Sequence, residues 1–387
     1  MEYAEDHYLF PLIREPHSRW EKAGLSPRAE RSFNRVATLL MAVFLTGWTY
    51  SFILAESGEL GERAPVATIS RSILRSPLAA DAPAEPAFVV DEFVRGFAED
   101  FEAEVRGQSG AVNVAVMKPG EELNVPASTD SLPGGAAVEL RPAEGTTGAP
   151  VAATGPTPSA PGVWNVVLRM ADAIRPASDV SVITLVPLSA KTSGRIGTYR
   201  VGSWPFERGG ATKPIYEPPA GLVRVTPENQ DLWLSEHVQL KDFLTKGQQG
   251  VWPKYVALQP KVLDKVELTI QELGRMGYPV KNIFVVSAFR TPSYNEGGGN
   301  TAGRASLSRH MYGDAVDFAI DNDNDTRMDD INRDGRVDVG DARMVAQAAE
   351  RVEKKYPSMI GGIGVYRPTG AHSGFVHLDT RGFRARW

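Results

Sequence analysis

The sequence predicts a multidomain chain with a single N-terminal transmembrane helix, a β-rich, sandwich-like middle domain and an α+β C-terminal domain. Three observations support this prediction. An uncharged apolar run lies near the N-terminus, short β-rich runs separated by Gly, Pro, Ser and Thr fill the middle, and helical and strand-like runs alternate after them. The length of 387 residues accommodates two ordinary domains and additional segments.

Composition excludes several classes of function. The net charge of -5 and the lack of a long basic tract argue against nucleic acid as a partner. The chain has no cysteine, which excludes disulfides, thiolate metal ligands and cysteine nucleophiles. Any bound metal therefore needs His, Asp or Glu ligands. Composition does not define the oligomeric state.

The apolar run covers residues 36–55 and reads VATLLMAVFLTGWTYSFILA. A helix of about 20 such residues crosses a hydrocarbon core of roughly 30 Å. Arginines precede the run and glutamates follow it, so the positive-inside bias predicts a cytoplasmic tail at 1–35 and an external remainder. We expect a single-pass protein of the cell membrane whose C-terminal domain is periplasmic or extracellular. A cleaved signal peptide is the alternative, and the long segment before the run favours an uncleaved anchor.

Residues 56–108 are predicted to form a stalk that ends in an amphipathic helix. Phe93, Phe97, Phe101 and Val105 recur every four residues, which is the spacing of one helical face. That face needs an apolar partner, and packing on the neighbouring domain is favoured over self-association.

The middle of the chain divides by composition into a β-rich domain at 109–205 and a polar, proline-containing linker at 206–235. We find no chemical constellation in the β-rich domain. The remaining residues, 236–387, form the predicted α+β domain. Its first long helix has an apolar face and precedes a buried strand with the sequence NIFVVSAF.

A candidate metal site lies in this last domain. His310 and Asp317 are separated by six residues, and His377 follows sixty residues after Asp317. Two imidazoles and one carboxylate leave a fourth position open, as in catalytic zinc sites. Bound zinc lowers the pKa of its water to about 7 and polarises a carbonyl. The spacing alone is only moderately specific.

The flanking residues carry more information. SRHMYGDAVDF and GFVHLD resemble the zinc D-alanyl-D-alanine carboxypeptidases and murein endopeptidases, a group of hedgehog-type metallopeptidases that includes vancomycin-resistance dipeptidases and phage endolysins. The family pattern Ser-x-His-x-x-Gly-x-Ala-x-Asp is matched in full by Ser308, His310, Gly313, Ala315 and Asp317. The resemblance covers about residues 236–387 only.

This resemblance implies specific roles for several residues. His310, Asp317 and His377 are the expected zinc ligands, and Arg290 is expected to bind a substrate carbonyl or carboxylate through its donor fork. Peptidoglycan is the implied substrate. Ser308 is a candidate hydrogen-bond donor to that substrate, and an ordinary helix or turn cap is its alternative role.

One position departs from the best-studied branch of that family. Those enzymes carry Glu or Asp as general base three residues before the last histidine, where this chain has Gly374. Asp379 points to the same strand face as His377 and is a candidate either for the base or for a partner that orients an imidazole. His372 is a candidate for stabilising the transition state or an exposed loop histidine. We assign His237 a structural role.

A second metal site is predicted at 330–341, which reads DINRDGRVDVGD. The ligand positions of an EF-hand loop are filled, with Gly335 at the sharp turn, and the final Asp resembles the calcium loops of dockerins. A solvated acidic loop is the alternative, and Asp321, Asp323 and Asp325 form a weaker candidate because Thr326 replaces the glycine. The predicted calcium ligands are Asp330, Asn332, Asp334, Arg336 through its carbonyl, Asp338 and Asp341.

The leading functional hypothesis is a zinc-dependent peptidase that acts on peptidoglycan stem peptides at the outer face of the membrane, as a D,D-carboxypeptidase or an endopeptidase. The alternative is a non-catalytic, zinc-containing cell-wall-binding or scaffold protein that has lost its base, and Gly374 is the feature that supports it. A third hypothesis treats the loop 330–341 as a docking module for a partner protein.

Overall fold

The computed structural model describes residues 87–123, 136–170, 173–210, 213–299, 301, 304–370 and 372–387, with only the backbone of 87–93. These residues belong to one compact unit, Ala84–Trp387. The fold is mixed α/β with several sheets. No helix in this part of the chain has both the length and the apolar content needed to cross a membrane. The predicted tail at 1–35 and transmembrane segment at 36–55 lie outside the described residues.

The first layer is a helix packed on a sheet. The sheet has five strands in the order β1-β5-β4-β2-β3, with β1 parallel to β5 and the other pairs antiparallel. These elements are α1 (Ala87–Val105), β1 (Val114–Met117), β2 (Ala137–Pro142), β3 (Val151–Ala152), β4 (Gly162–Met170) and β5 (Ala173–Thr184).

Helix α1 covers one face of this sheet. Phe97 and Phe101 are each 1% exposed, their rings stack at 5.7 Å, and they share a core cluster with Trp164 and Leu168 of β4. The prediction that this face packs on the neighbouring domain is confirmed for Phe97 and Phe101, and the side chain of Phe93 lies outside the described part of the chain. The sandwich prediction is wrong for this face, because the amphipathic helix assigned to the stalk covers it instead of a second sheet.

Two small sheets follow, a three-stranded one in the order β10-β9-β6 and the hairpin β7-β8. Strand β9 lies inside the segment predicted as a linker, and its Leu222 and Val223 are fully buried in a core that extends to Leu378. Residues 206–235 therefore contribute to the folded core. The strands are β6 (Val186–Pro187), β7 (Arg195–Ile196), β8 (Tyr199–Arg200), β9 (Gly221–Val225) and β10 (Lys254–Val256).

The last layer is a second five-stranded sheet, in the order β11-β12-β14-β13-β15, antiparallel except for β13 and β15. Two long helices, α2 and α4, pack against one of its faces. Its elements are α2 (Pro260–Arg275), β11 (Ile283–Ser287), α3 (Pro292–Gly297), β12 (Ala315–Ile320), α4 (Val339–Lys355), β13 (Gly362–Tyr366), β14 (Phe375–Asp379) and β15 (Ala385–Arg386).

Local sequence explains these two helices. Proline occupies the first position of α2, where a missing N–H costs no helical bond, and the apolar face of α2 is buried. Helix α4 begins with a capping box in which Asp338 and Asp341 each accept from the other's backbone N–H.

Alternation along the strands separates the core from the candidate site. On β12 and β14, Phe318 and Leu378 lie in the core shared with α2 and α4. The residues next to them, Asp317 and His377, point to the opposite face because strand side chains alternate. This opposite face carries the candidate site.

Candidate metal centre

A row of paired residues crosses the exposed face of the second sheet. Ser287 pairs with Asp317, Asp317 with His377, and His377 with Gly364. His310 comes from the 3-10 turn Arg309–Tyr312, and the carbonyl of His310 accepts from the backbone N–H of Arg290 at 3.1 Å. The sheet register and this turn thus bring the three predicted zinc ligands together.

The geometry of these three side chains fits a metal site. His310 Nε2 lies 3.1 Å from His377 Nδ1 and 3.2 Å from Asp317 Oδ2, and His377 Nδ1 lies 2.7 Å from Asp317 Oδ1. Donor atoms bound to tetrahedral zinc at about 2.0–2.1 Å are roughly 3.3 Å from one another. The donor atoms therefore need to move apart by at most about 0.6 Å to hold zinc.

The outward-facing nitrogens of both imidazoles have partners. His310 Nδ1 donates to the carbonyl of Ala288, and His377 Nε2 donates to Asp379 Oδ2 at 3.0 Å. These bonds leave His310 Nε2 and His377 Nδ1 as the nitrogens that face the site. Such outer partners fix the tautomer and the orientation of metal-binding histidines.

Asp379 is fully buried behind His377. Besides His377, its carboxylate accepts from the backbone N–H groups of Gly362 at 2.8 Å and Arg381 at 3.1 Å, and from the Arg381 guanidinium. A Cβ on Gly362 would lie 2.3 Å from Asp379 Oδ2, so glycine is required there. The carboxylate is thereby enclosed by donors on the side away from the cleft.

Burial and the neighbouring charges determine the protonation states. Burial lowers the pKa of His310, which favours its neutral form and leaves a lone pair for a metal. Burial alone would raise the pKa of Asp317, but the adjacent imidazoles of His310 and His377 lower it. Burial disfavours the cation of His377, yet hydrogen bonds to Asp317 and Asp379 raise its pKa.

Two cavities adjoin the candidate metal centre. One has a volume of about 530 Å³, and its lining includes Ser308, His310, His377, Arg381 and Trp387. The other has a volume of about 520 Å³, and its lining includes Lys246 and Tyr294. Both are lined by Arg290, Arg304, Asp317, His372 and Phe375. Asp317 thus lies on a wall that the two cavities share, and both histidines line the first.

The other predicted catalytic residues also line this cleft. Arg290 lies in both cavities, and its buried Nε has no hydrogen-bond partner among the described residues. His372 lies in both cavities, and its Nδ1 is 2.7 Å from the carbonyl of Ser373. Ser308 lines the first cavity and makes no side-chain cap bond to the turn that follows it.

Sequence reasoning missed two aromatic residues at the site. Tyr366 and Trp387 line the first cavity, and the Trp387 ring lies 5.1 Å from that of His377. The signal in the sequence is the Gly-x-Gly-x-Tyr pattern of β13. A Cβ on Gly364 would lie 2.5 Å from the indole, so the missing side chain makes room for Trp387.

The predicted calcium loop, 330–341, and the segment just before it make the same pattern of local hydrogen bonds. In 330–341, Asp330 accepts from the N–H groups of Asp334 and Gly335, and Asp334 accepts from that of Arg336. The preceding segment repeats these bonds, with Asp321 accepting from Asp325 and Thr326 and with Asp325 accepting from Arg327. Two consecutive loops thus adopt the same local conformation. Within loop 330–341, Asn332 and Asp341 also accept hydrogen bonds from backbone N–H groups, and Asp338 caps α4.

Ligand atoms of three His or acidic residues lie within 4.8 Å of one another in three places among the described residues. These are the centre at His310, the group Asp321, Asp323 and Asp325, and the group Glu236, His237 and Glu267. Loop 330–341 contributes no such group. His237 donates to Glu267 through its backbone N–H at 2.9 Å and pairs with it through Nδ1 at 2.8 Å, in agreement with a structural role.

No curated protein and no solved structure matched the chain significantly. A family model described as Peptidase M15 matches residues 237–345, a range that contains His310 and Asp317 and ends before His377. The C-terminal region of the chain is thus identified, over residues 237–345, as a Peptidase M15 region.

Proposed function

We propose that the chain is a zinc-dependent endopeptidase that cleaves cross-linked peptidoglycan stem peptides. The observation that carries this proposal is the convergence of His310, Asp317 and His377 in one cavity, next to a second cavity that Asp317 also lines. The Peptidase M15 match supplies the class of enzyme, because it implies a zinc peptidase of the D-Ala-D-Ala type. Bound zinc would supply Lewis-acid polarisation of the scissile carbonyl and a water of lowered pKa.

Arg290 is proposed to bind the substrate. Its buried Nε lacks an acceptor among the described residues, and its side chain lies on the wall shared by both cavities. A carbonyl or carboxylate oxygen of the peptide would satisfy this donor and remove the cost of leaving it unpaired. Arg290 thereby positions the peptide across the metal centre.

His372 is proposed as the proton acceptor that takes the place of the acid missing at Gly374. A carbonyl oxygen only accepts, so the contact with Ser373 assigns the proton of neutral His372 to Nδ1 and leaves Nε2 with a lone pair. Water adds to the carbonyl carbon and gives its proton to Nε2. The C–N bond then breaks, and the leaving amine takes that proton.

Asp379 is proposed to orient His377 and not to act as the base. Its carboxylate is fully buried and accepts from His377, from two backbone N–H groups and from Arg381. A general base must reach the proton of the attacking water, and a carboxylate enclosed behind its own histidine does not face the cleft. Its charge instead favours the imidazole orientation that metal binding needs.

The room around the centre supports an endopeptidase over a carboxypeptidase. A carboxypeptidase needs room for one terminal residue beyond the scissile bond, whereas an endopeptidase needs room for more of the chain. Two cavities, of about 530 and 520 Å³, share Arg290 and Asp317 in their walls, so the space next to the centre exceeds that of a single terminal residue. The external location predicted from the apolar run at 36–55 would bring this cleft to the polymer.

Calcium in loop 330–341 is proposed as a structural ion. Carboxylates at this density repel each other unless a cation is bound. Met328, just before this loop, contacts the segment that carries His372, because its backbone N–H donates to Ser373 Oγ at 3.0 Å. A rigid loop would therefore support His372. Calorimetric titration of the full chain with Ca²⁺ tests this proposal, and loss of binding in Asp334→Ala is the expected result.

The test of the proposed function uses the full-length chain in detergent, because residues 206–235 share a core with the β-rich region. Purified cross-linked dimers and monomeric pentapeptide stems are digested in parallel, and the products are identified by mass. We expect dimers to be split to monomers. Release of D-alanine from the pentapeptide alone would identify a carboxypeptidase, and binding of the wall polymer without any product would favour the scaffold hypothesis.

A further inference from the structure

Tyr366 occupies an unusual position for a residue that the zinc site does not use. It is the last residue of β13 and lines the same cavity as Arg290, Asp317 and His377. Burial raises the pKa of its phenol, and the negative charge of Asp317 and the positive charge of Arg290 act on that pKa in opposite directions. The hydroxyl group therefore belongs to the electrostatic environment of the metal centre.

The Tyr366 side chain is held in place by two contacts. Its ring stacks on Phe375 with centroids 4.4 Å apart and an interplanar angle of 10°. Its hydroxyl lies 2.7 Å from the indole nitrogen of Trp387. A phenol fixed at both ring and hydroxyl loses little rotational freedom when it binds a ligand.

The contact with Trp387 also defines which partner donates. An indole N–H is a donor only, so the Tyr366 oxygen must accept this hydrogen bond. The phenolic proton is then left to point elsewhere, and it has no acceptor among the described residues. Burial raises the pKa of Tyr366, so the phenol keeps this proton at neutral pH.

Trp387 owes its position to the backbone around it. The N–H of Val365 donates to the carbonyl of Trp387 at 2.9 Å, and the N–H of Trp387 donates to the carbonyl of Ile363 at 3.4 Å. The indole lies over Gly364, where any Cβ would collide with it. The indole N–H is therefore aimed at Tyr366 by strand pairing and by a glycine.

The Tyr366 hydroxyl and Arg290 Nε are thus two donors on one cavity, and the buried Arg290 Nε has no hydrogen-bond partner among the described residues. We propose that Tyr366 is a catalytic residue that donates its phenolic hydrogen bond to the scissile carbonyl oxygen as that oxygen becomes negatively charged. Trp387 is a positioning residue that acts through Tyr366. This inference rests on the proposed peptidase function.

The chemistry of hydrolysis needs such a donor. When water adds to the carbonyl carbon, the electron pair of the C=O π bond moves onto the oxygen, which becomes an anion. A donor fixed before the reaction stabilises this charge without reorganisation, and loss of one donor of this kind costs about 10²–10³ in kcat. The stacking on Phe375 and the bond from Trp387 supply the fixed geometry.

The test compares Tyr366→Phe, Trp387→Phe and the double variant in the full-length chain, with Tyr278→Phe as the control because it lines neither cavity. Tyr366→Phe removes the hydroxyl and keeps the stacked ring. We expect kcat on cross-linked dimers to fall about 10²-fold with KM nearly unchanged. We expect a smaller loss of kcat in Trp387→Phe, and no further loss when Trp387→Phe is added to Tyr366→Phe.

A second readout does not depend on turnover. A phosphinate dipeptide mimics the tetrahedral anion, and its dissociation constant is measured by calorimetry beside that of the cleaved product. Tyr366→Phe should weaken phosphinate binding by a factor near the loss in kcat and leave product binding and zinc content unchanged. If the wild type is active and Tyr366→Phe has the same kcat, the role of Tyr366 is overturned while the proposed function stands. Additive losses in the double variant would overturn it in the same way. An inactive wild type that also fails to bind the phosphinate would overturn the proposed function, and this inference with it.

Discussion

Replacing Asp379 by asparagine removes the negative charge behind His377 and keeps the size of the side chain. In the wild type, Asp379 Oδ2 accepts from His377 Nε2 at 3.0 Å, and the carboxylate is fully buried. Loss of a partner that orients a metal-binding histidine typically costs 10- to 100-fold in metal affinity, which is roughly 1.4–2.7 kcal/mol. We therefore expect Asp379→Asn to weaken zinc binding by about this factor.

The assay is a competition between the full chain and a chromogenic chelator at fixed pH. Asp231→Asn is the matched control, because Asp231 is an exposed carboxylate that pairs with Lys241. The reasoning would be refuted if Asp379→Asn bound zinc as tightly as the wild type and had lost its activity. That result would make Asp379 the general base.

Three further predictions concern stability and local geometry. Lys265 is fully buried, with its Nζ 2.6 Å from Glu353 and 2.8 Å from the carbonyl of Asp379. Lys265→Met should therefore lower the free energy of unfolding, measured by urea titration, by about 3 kcal/mol. The control Lys261→Met, on the same helix, should change this free energy little. Gly364→Ala should displace the indole of Trp387 and reproduce the kinetic loss of Trp387→Phe, and an unchanged kcat would contradict this expectation. Burial opposes the cation of His237 but its bond to Glu267 raises the pKa, so the stabilisation is present below the unfolded-state pKa of about 6.5 and is lost as pH rises through the folded-state value. The difference in unfolding free energy between wild type and His237→Gln should accordingly be largest in mild acid and shrink in alkali.

The proximity of the three predicted zinc ligands is accessible to sequence reasoning because local rules bring them together. Asp317 and His377 lie on strands whose alternation puts both on one face, and their register makes them direct neighbours. His310 is a few residues away on the turn that leads into the same strand. A motif of this kind carries its own geometry.

The role of Asp379 depends on burial, which alternation alone does not give. The sequence places Asp379 on the same face as His377, and both a base and an orienting partner satisfy that placement. The choice turns on the glycine at 362, which lets the carboxylate sink against the backbone of β13. Tyr366 and Trp387 were missed because their closeness to the site depends on the pairing of β13 with β15.

The fold of the β-rich region was only partly predictable for a similar reason. A two-residue period identifies strands and a four-residue period identifies the helical face of Phe97 and Phe101, but neither period says which surface covers which. The structure pairs these two surfaces across more than thirty residues of sequence, in the cluster that joins Phe101 to Val138. Segment 206–235 was read as a linker because its short buried strand is embedded among prolines.

We infer that the centre formed by His310, Asp317 and His377 uses zinc to cleave cross-linked stem peptides. The decisive measurement is the digestion of purified dimers by the full-length chain after metal removal and after re-addition of one equivalent of zinc, with His310→Ala beside the wild type. We expect only the zinc-loaded wild type to split dimers to monomers. A folded, zinc-loaded wild type that leaves the dimers intact would contradict this inference.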